Sequence, residues 1–242
     1  MKRNLKSGLC LAAVLSLAHA PALADGLEWS LEATLTSDYI DAGESLSDGR
    51  PALILEAEAE ASGFFAGLEL ATIRDGADRI EIVPFLGYRH DFDPVELEIG
   101  LERAWADDSG WDDLELFAGI EWALDDRLTL GAGLVYVPSP DEWELGAEIE
   151  WAVNHRFTLG AEAVYDLSGS EWAELALTGE YAFDDRLSLS ATLGRLPADG
   201  FDYANIGVTY ELTDLLAADL RLHNSDEIGT RIALSLTAAL GN

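Results

Sequence analysis

Eleven glutamates stand at alternate positions of apolar runs: Glu56, Glu58, Glu60, Glu69, Glu96, Glu98, Glu121, Glu148, Glu150, Glu162 and Glu180. Carboxylates brought together can exchange protons, ligate hard cations, or line a passage that selects by charge. The cations sharing their parity are few: Arg79, Arg89, Arg221 and Arg231. Nucleophilic chemistry would need a base. His223-Asn224-Ser225-Asp226 sets a base, a nucleophile and an acid side by side, but adjacency in sequence does not make a triad. A polar loop mouth accounts for the same residues. His90 and His155 lie at or beside short turns. The chain has no phosphate-binding loop, zinc spacing or nucleophile elbow. The loop acids Asp75, Asp78, Asp107, Asp108, Asp112 and Asp113 lack the ordered ligand pattern that calcium requires. No enzymatic activity, cofactor or metal site is expected. The glutamates therefore have to be explained by the elements that carry them.

Those elements repeat. Gly119–Tyr136 (GIEWALDDRLTLGAGLVY) recurs at Glu148–Tyr165 and Thr178–Arg195, and more loosely at Gly207–His223. The anchoring aromatics Trp122, Trp151, Tyr181 and Tyr210 are 29, 30 and 29 residues apart. Each unit is two runs of period-2 alternation around a tight polar turn, the pattern of a β-hairpin.

Residues 1–24 have a basic start (Lys2, Arg3, Lys6), an apolar run from Leu9 to Ala20, and Ala22-Leu23-Ala24 as a cleavage signal. This reads as a secretory signal peptide, too short to span a membrane as a helix. It takes with it Cys10, the one cysteine, so disulfides are excluded. The mature chain has eleven basic residues, all arginine, against forty-six acids, a formal charge of −35. Such a chain repels nucleic acid. Yet the sequence is 49% hydrophobic, too apolar for a disordered acidic tail. Charge and hydrophobicity coexist by alternating, which suits a sheet with one apolar and one wet face.

Fourteen such runs can be counted from Leu27 to Leu240, most of them near the roughly 9–11 residues a tilted strand needs to cross a bilayer; merging one pair would leave twelve. Short connections, such as Ser62-Gly63 and Asp125–Arg127, alternate with longer ones, such as Ser37–Pro51 and Ala106–Asp112. That rhythm belongs to outer-membrane barrels, with short periplasmic turns and longer extracellular loops; a soluble β-sandwich does not predict it. The fold expected is all-β: one transmembrane, antiparallel, up-and-down β-barrel over residues 25–242.

Charged groups on the lipid face are costly, so the Leu/Ile/Val/Ala/aromatic face must point outward. Aromatics gather beside the short turns (Tyr88, Phe92, Trp122, Trp151, Phe157, Tyr181, Phe183, Tyr210) and the longer loops (Trp105, Tyr136, Trp143, Tyr165, Trp172, Tyr203). Two such bands fit the two membrane interfaces. The outward face would suit lipid or a second copy of the chain, which leaves a homo-oligomer open. The inward face carries glycines and the glutamates, with Arg89, Arg221 and Arg231 among them. Fourteen strands with that wall leave space for water.

Leu35-Thr36-Ser37-Asp38-Tyr39, Gly43, Ser45, Ser47-Asp48, Pro51-Ala52 and Ser62–Gly67 resemble the N-terminal signature of the TorF family of porins. Leu212-Thr213-Asp214 and Leu220–Asp226 are similar to its penultimate hairpin. Ala42 and Leu46 stand where that family usually has arginine and glutamine. The resemblance implies an outer-membrane barrel engaged in transport. The expectation from the residues is a channel in the cell outer membrane, exported by a cleaved leader and passing small hydrophilic solutes with a preference for cations. The alternative is a non-conducting structural or adhesive barrel whose acidic loops bind divalent ions or a partner.

Overall fold

The computed structural model describes residues 26–242; the leader expected at residues 1–24 lies outside the described residues. Fourteen crossing strands follow in order: β1 (Leu27–Thr36), β2 (Ala52–Ala61), β3 (Phe64–Asp75), β4 (Asp78–Asp91), β5 (Val95–Glu102), β6 (Glu115–Asp125), β7 (Leu128–Val137), β8 (Glu142–Asn154), β9 (Phe157–Asp166), β10 (Glu171–Ala182), β11 (Leu187–Leu196), β12 (Phe201–Thr213), β13 (Leu216–Ser225) and β14 (Gly229–Gly241). Each pairs antiparallel with its sequence neighbours, and β1 closes the ring on β14 from Ser30↔Gly241 to Thr36↔Ser235. The barrel has fourteen strands, which settles the count against twelve. Closure matters because it leaves no unpaired edge.

The hairpin repeat has a local cause. Asp125, Asn154 and Asp184 each accept the amide of the residue two further on (Arg127, Arg156, Arg186) at 2.8, 2.9 and 2.9 Å. Thr213 does the same for Leu215 at 3.2 Å. These side chains close the turn in place of a backbone bond. The register shifts by one residue just before three of them, at Ala123/Asp125, Ala152/Asn154 and Glu211/Thr213, a bulge that re-aims the chain into the turn.

Alternation sorts the side chains. In β7, Leu128, Leu130, Ala132, Leu134 and Tyr136 point out, while Thr129, Gly131, Gly133, Val135 and Val137 point in. Leu177 and Leu193, cross-strand partners, are 61% and 63% exposed on the outer face; side chains this apolar require lipid or another apolar surface. The aromatic bands are present at both rims: Trp122, Trp151, Tyr181 and Tyr210 are exposed at the short-turn end, and the Tyr136–Trp143 and Tyr165–Trp172 ring pairs, at 4.2 and 5.0 Å, mark the other.

Three expectations need correction. Tyr203 does not belong to the outer band: it is 8% exposed and its hydroxyl donates to Glu174 inside the barrel. The alternating run Val95–Trp105, expected as one strand, ends at Glu102, and Trp105-Ala106 folds back as a two-residue strand onto Ile82 and Glu81 of β4. The long-loop rhythm is also weaker than the sequence suggests. Pairing runs on into the segments near residues 74–78, 138–142, 166–170, 197–202 and 224–229, so only residues 37–51 and 103–114 remain as long connections. Polar side chains that read as loop sit there on the paired ends of hairpins.

Candidate functional site: the barrel lumen

The inward parity of every strand converges on one continuous inner wall, and the anticipated glutamates lie on it. Glu56, Glu58 and Glu60 come from β2, Glu69 from β3, Glu98 from β5, Glu121 from β6, Glu148 and Glu150 from β8, Glu162 from β9 and Glu180 from β10. The register explains how their bulk is accommodated. Glu58 faces Gly67, Glu98 faces Gly119, Glu150 faces Gly160, and Glu121 and Glu148 flank Gly131. The absent side chain gives each carboxylate room to lie along the wall; a Cβ at Gly131 would meet the Glu148 carboxylate. At Gly119 nothing comes nearer than 4.0 Å to that position, so the wall there is open.

The same register sets carboxylates face to face. Glu32 opposes Glu56, Glu56 opposes Glu69, Glu96 opposes Glu121, and Glu148 opposes Glu162. Like charges directly opposite on one sheet face are destabilising, by about 0.2–1 kcal/mol per pair. The inward arginines reach only one of these pairs, Glu96/Glu121, through Glu96. Arg89 is held by Glu98 at 2.7 Å, Glu60 at 3.1 Å, Glu96 at 3.5 Å and Glu58 at 3.6 Å, with Phe65 beneath its guanidinium at 4.8 Å. Arg221 pairs with Asp219 at 3.0 Å and donates to Asn205 and Ser190. Arg231 pairs with Asp38 at 2.9 Å. Among the described residues no ion pair reaches Glu121, Glu148, Glu150, Glu162 or Glu180. Arg79, counted as inward from its parity, turns to the rim and donates to the carbonyls of Gly76 and Asp78.

The wall is not uniform around its circumference. The acids cluster on β1–β10, while β11–β14 contribute Ser188, Ser190, Thr192, Asn205, Thr209, Ser235 and Thr237 beside Arg231 and the Arg221–Asp219 pair. Against this second arc folds the connection from β1 to β2. Asp38, on that connection, is 6% exposed. Burial alone would raise its carboxyl, but hydrogen bonds from Ser45, Arg231 and Ser47 outweigh it and hold the group below the usual aspartate range.

Several lining residues were missed from sequence. Glu174 is inward although Trp172, of the same parity, is outward; a register shift opposite Val164/Tyr165 intervenes. Bulges are invisible to a parity count. Tyr203 could have been placed by counting back from the outward Tyr210 and Val208. The His223–Asp226 run is dispersed by strand alternation: His223 is buried facing inward, Asn224 is outside bonded to Thr230, and Ser225 donates to the Gly43 carbonyl. No nucleophile–base contact arises from it. The loop acids stitch the rim: Asp78 accepts the amides of Asp108 and Ser109 at 2.7 and 2.9 Å, and Asp107 those of Arg79 and Ile80 at 2.6 and 3.1 Å. Those two amide bonds lower the Asp107 carboxyl from its ordinary value. Among the described residues no group of three or more His, Asp or Glu side chains is placed to hold a metal ion.

The architecture is that of the porin barrels. A mutant of Rh. blastica porin superposes with a TM-score of 0.58 at 14% identity, covering 88% of this chain and 99% of that one. KdgM porin gives a TM-score of 0.50 at 12% identity, with 86% and 98% covered. At these identities the likeness is one of fold. No protein-family model and no curated protein matches the sequence.

Proposed function

We propose that the chain is an outer-membrane channel through which small hydrophilic solutes diffuse passively, with a preference for cations. The observation that carries this reading is the directly opposed glutamate pair inside a closed barrel, Glu148/Glu162, which no described arginine ion pair reaches. Such pairs repel unless water and mobile cations screen them. A low-dielectric wall carrying one sign of charge concentrates counter-ions. The porin fold and the resemblance of residues 35–67 to the TorF signature support the same reading. The leader delivers the chain across the inner membrane, the short turns face the periplasm, and the barrel wall from Leu27 onward meets lipid. The adhesive alternative rested on divalent-binding loops; Asp78 and Asp107 instead spend oxygens on backbone amides.

Liposome swelling with sugars of graded size tests the reading. Swelling that falls off with solute size, together with stepwise bilayer conductance, is the expected result. Liposomes containing folded barrel that neither swell nor conduct would refute it.

A further inference from the structure

Three inward positions on the acidic arc carry phenyl rings: Phe65 on β3, Phe85 on β4 and Phe117 on β6. Each ring lies over a glycine of the neighbouring strand. Phe85 is the cross-strand partner of Gly67, Phe65 of Gly87 and Phe117 of Gly100, and a Cβ added at any of these glycines would collide with the ring opposite it. Gly87 and Gly100 are partners in turn, so no side chain rises between Phe65 and Phe117. Their centroids are 6.5 Å apart, with the planes inclined by 27°, and Phe85 stands 6.2 Å from Phe65. The three rings form one plate on the inner wall, an apolar surface on the side of the barrel that otherwise repels apolar groups.

One edge of the plate already holds an organic cation. The Arg89 guanidinium lies 4.8 Å from the Phe65 centroid, with Glu98 at 2.7 Å and Glu60 at 3.1 Å around it. A ring face beneath and carboxylates at the side are the two attractions a guanidinium or ammonium group can use together. With Arg89 over it, Phe65 is 4% exposed. Phe85 and Phe117 are only half-buried, and among the described residues no arginine lies over either ring. Carboxylates stand beside them all the same. Glu102 is the cross-strand partner of Phe85; Glu115, the partner of Glu102, precedes Phe117 by two residues on the same face of β6. Among the described residues no arginine ion pair reaches Glu102. We propose that Phe85 and Phe117, with Glu102 and Glu115, form a second niche of the same kind, a binding subsite for a small organic cation. An alkylguanidinium or alkylammonium lodges there with its charged end at the carboxylates and its apolar body on the rings. The proposal rests on the channel reading above and deepens it: the charge of the lumen draws cations in general, and the rings retain those that carry an apolar body.

The probe is butylguanidinium, with butylurea as its uncharged isostere. In planar bilayers the wild-type potassium current should fall saturably as butylguanidinium is added and stay constant with butylurea. F85L/F117L keeps apolar bulk and removes both ring faces without altering any charge, so a weaker block cannot come from the field of the lumen. Its half-blocking concentration should rise about 2- to 30-fold, the range that cation–π contacts span from exposed to desolvated sites. E102Q should raise it as well. Should the double variant fail to fold, F85L alone serves, with a rise of about 2-fold or more. A conducting wild-type channel that butylguanidinium does not block saturably overturns the subsite, and equal block by butylurea overturns its recognition of charge. Undiminished block in the leucine variants overturns the role of the rings, and in E102Q that of Glu102. Calorimetric titration of the folded barrel in detergent micelles separates the subsite from the channel. Butylguanidinium bound by a barrel that passes no current refutes the channel reading and leaves the subsite in place.

Discussion

Leu177 and Thr178 are consecutive residues of β10 that point to opposite sides of the wall, and replacing each with arginine separates the two faces by energy. Tyr181 and Trp172 mark the two interfaces on this strand. At about 3.3 Å per residue and a tilt of about 40°, each residue advances about 2.5 Å along the membrane normal. With one residue taken up by the bulge, the eight paired steps between them span about 20 Å, within the roughly 25 Å apolar band of outer-membrane barrels. Leu177, four steps from Tyr181, lies about 10 Å inside, near the midplane. Arginine there should cost about 2–4 kcal/mol, or about 30- to 700-fold in the unfolding equilibrium at 1.4 kcal/mol per decade. Thr178 lies on the inner face between its cross-strand partners Gly160 and Thr192, where an arginine meets water and nearby carboxylates. T178R should therefore leave stability within about 1 kcal/mol and reduce cation preference. Reversible urea unfolding in lipid vesicles, followed by tryptophan fluorescence, measures both stabilities. Equal destabilisation of L177R and T178R, or a larger loss in T178R, would refute the assignment of faces.

An epitope placed at Gly110 should be reached by antibody on intact cells and one at Asp126 should not; the reverse pattern would invert the orientation. R89Q leaves Glu58, Glu60, Glu96 and Glu98 clustered without their cation, so it should raise cation selectivity and lower thermal stability, the latter recovering with added salt. Unfolding temperatures at 0.05 and 1 M salt check this, and a fall insensitive to salt would count against it. The Asp107 carboxyl, lowered by its amide bonds, stabilises the rim loop above the unfolded aspartate value of about 3.9 and ceases to do so as pH falls through its folded value. A spin label at Ser109 should stay ordered from neutral pH down to about 4 and become mobile only below it; mobility already gained at neutral pH would exclude the tether.

Much of the architecture was legible because one physical rule governs it. A strand that meets lipid on one side and water on the other must alternate, and Leu128–Val137 or Phe157–Asp166 alternate almost without exception. The turn chemistry was equally plain, since Asp125, Asn154 and Asp184 act within two residues of themselves. What failed to show were events that add a residue or act across the barrel. The register shift near Tyr165 hid Glu174 behind the parity of Trp172. The inward fold of residues 37–51 depends on Ala42 and Gly43 meeting Leu196, Tyr203 and Ser225 from far along the chain, contacts with no local signature. Paired strand ends were misread as loops because their polar composition resembles that of turns.

The sign of the charge lining the lumen can be measured directly. A reversal potential across a KCl gradient, near 0.1 M salt where the Debye length is about 10 Å, reports that sign without knowledge of the natural solute. Wild-type protein should be cation-selective, less so near 1 M as the Debye length shrinks to about 3 Å, and the triple change of Glu148, Glu150 and Glu162 to Gln should bring the ratio toward unity. A wild-type channel that is neutral or anion-selective at low salt would contradict the cation-selecting lumen.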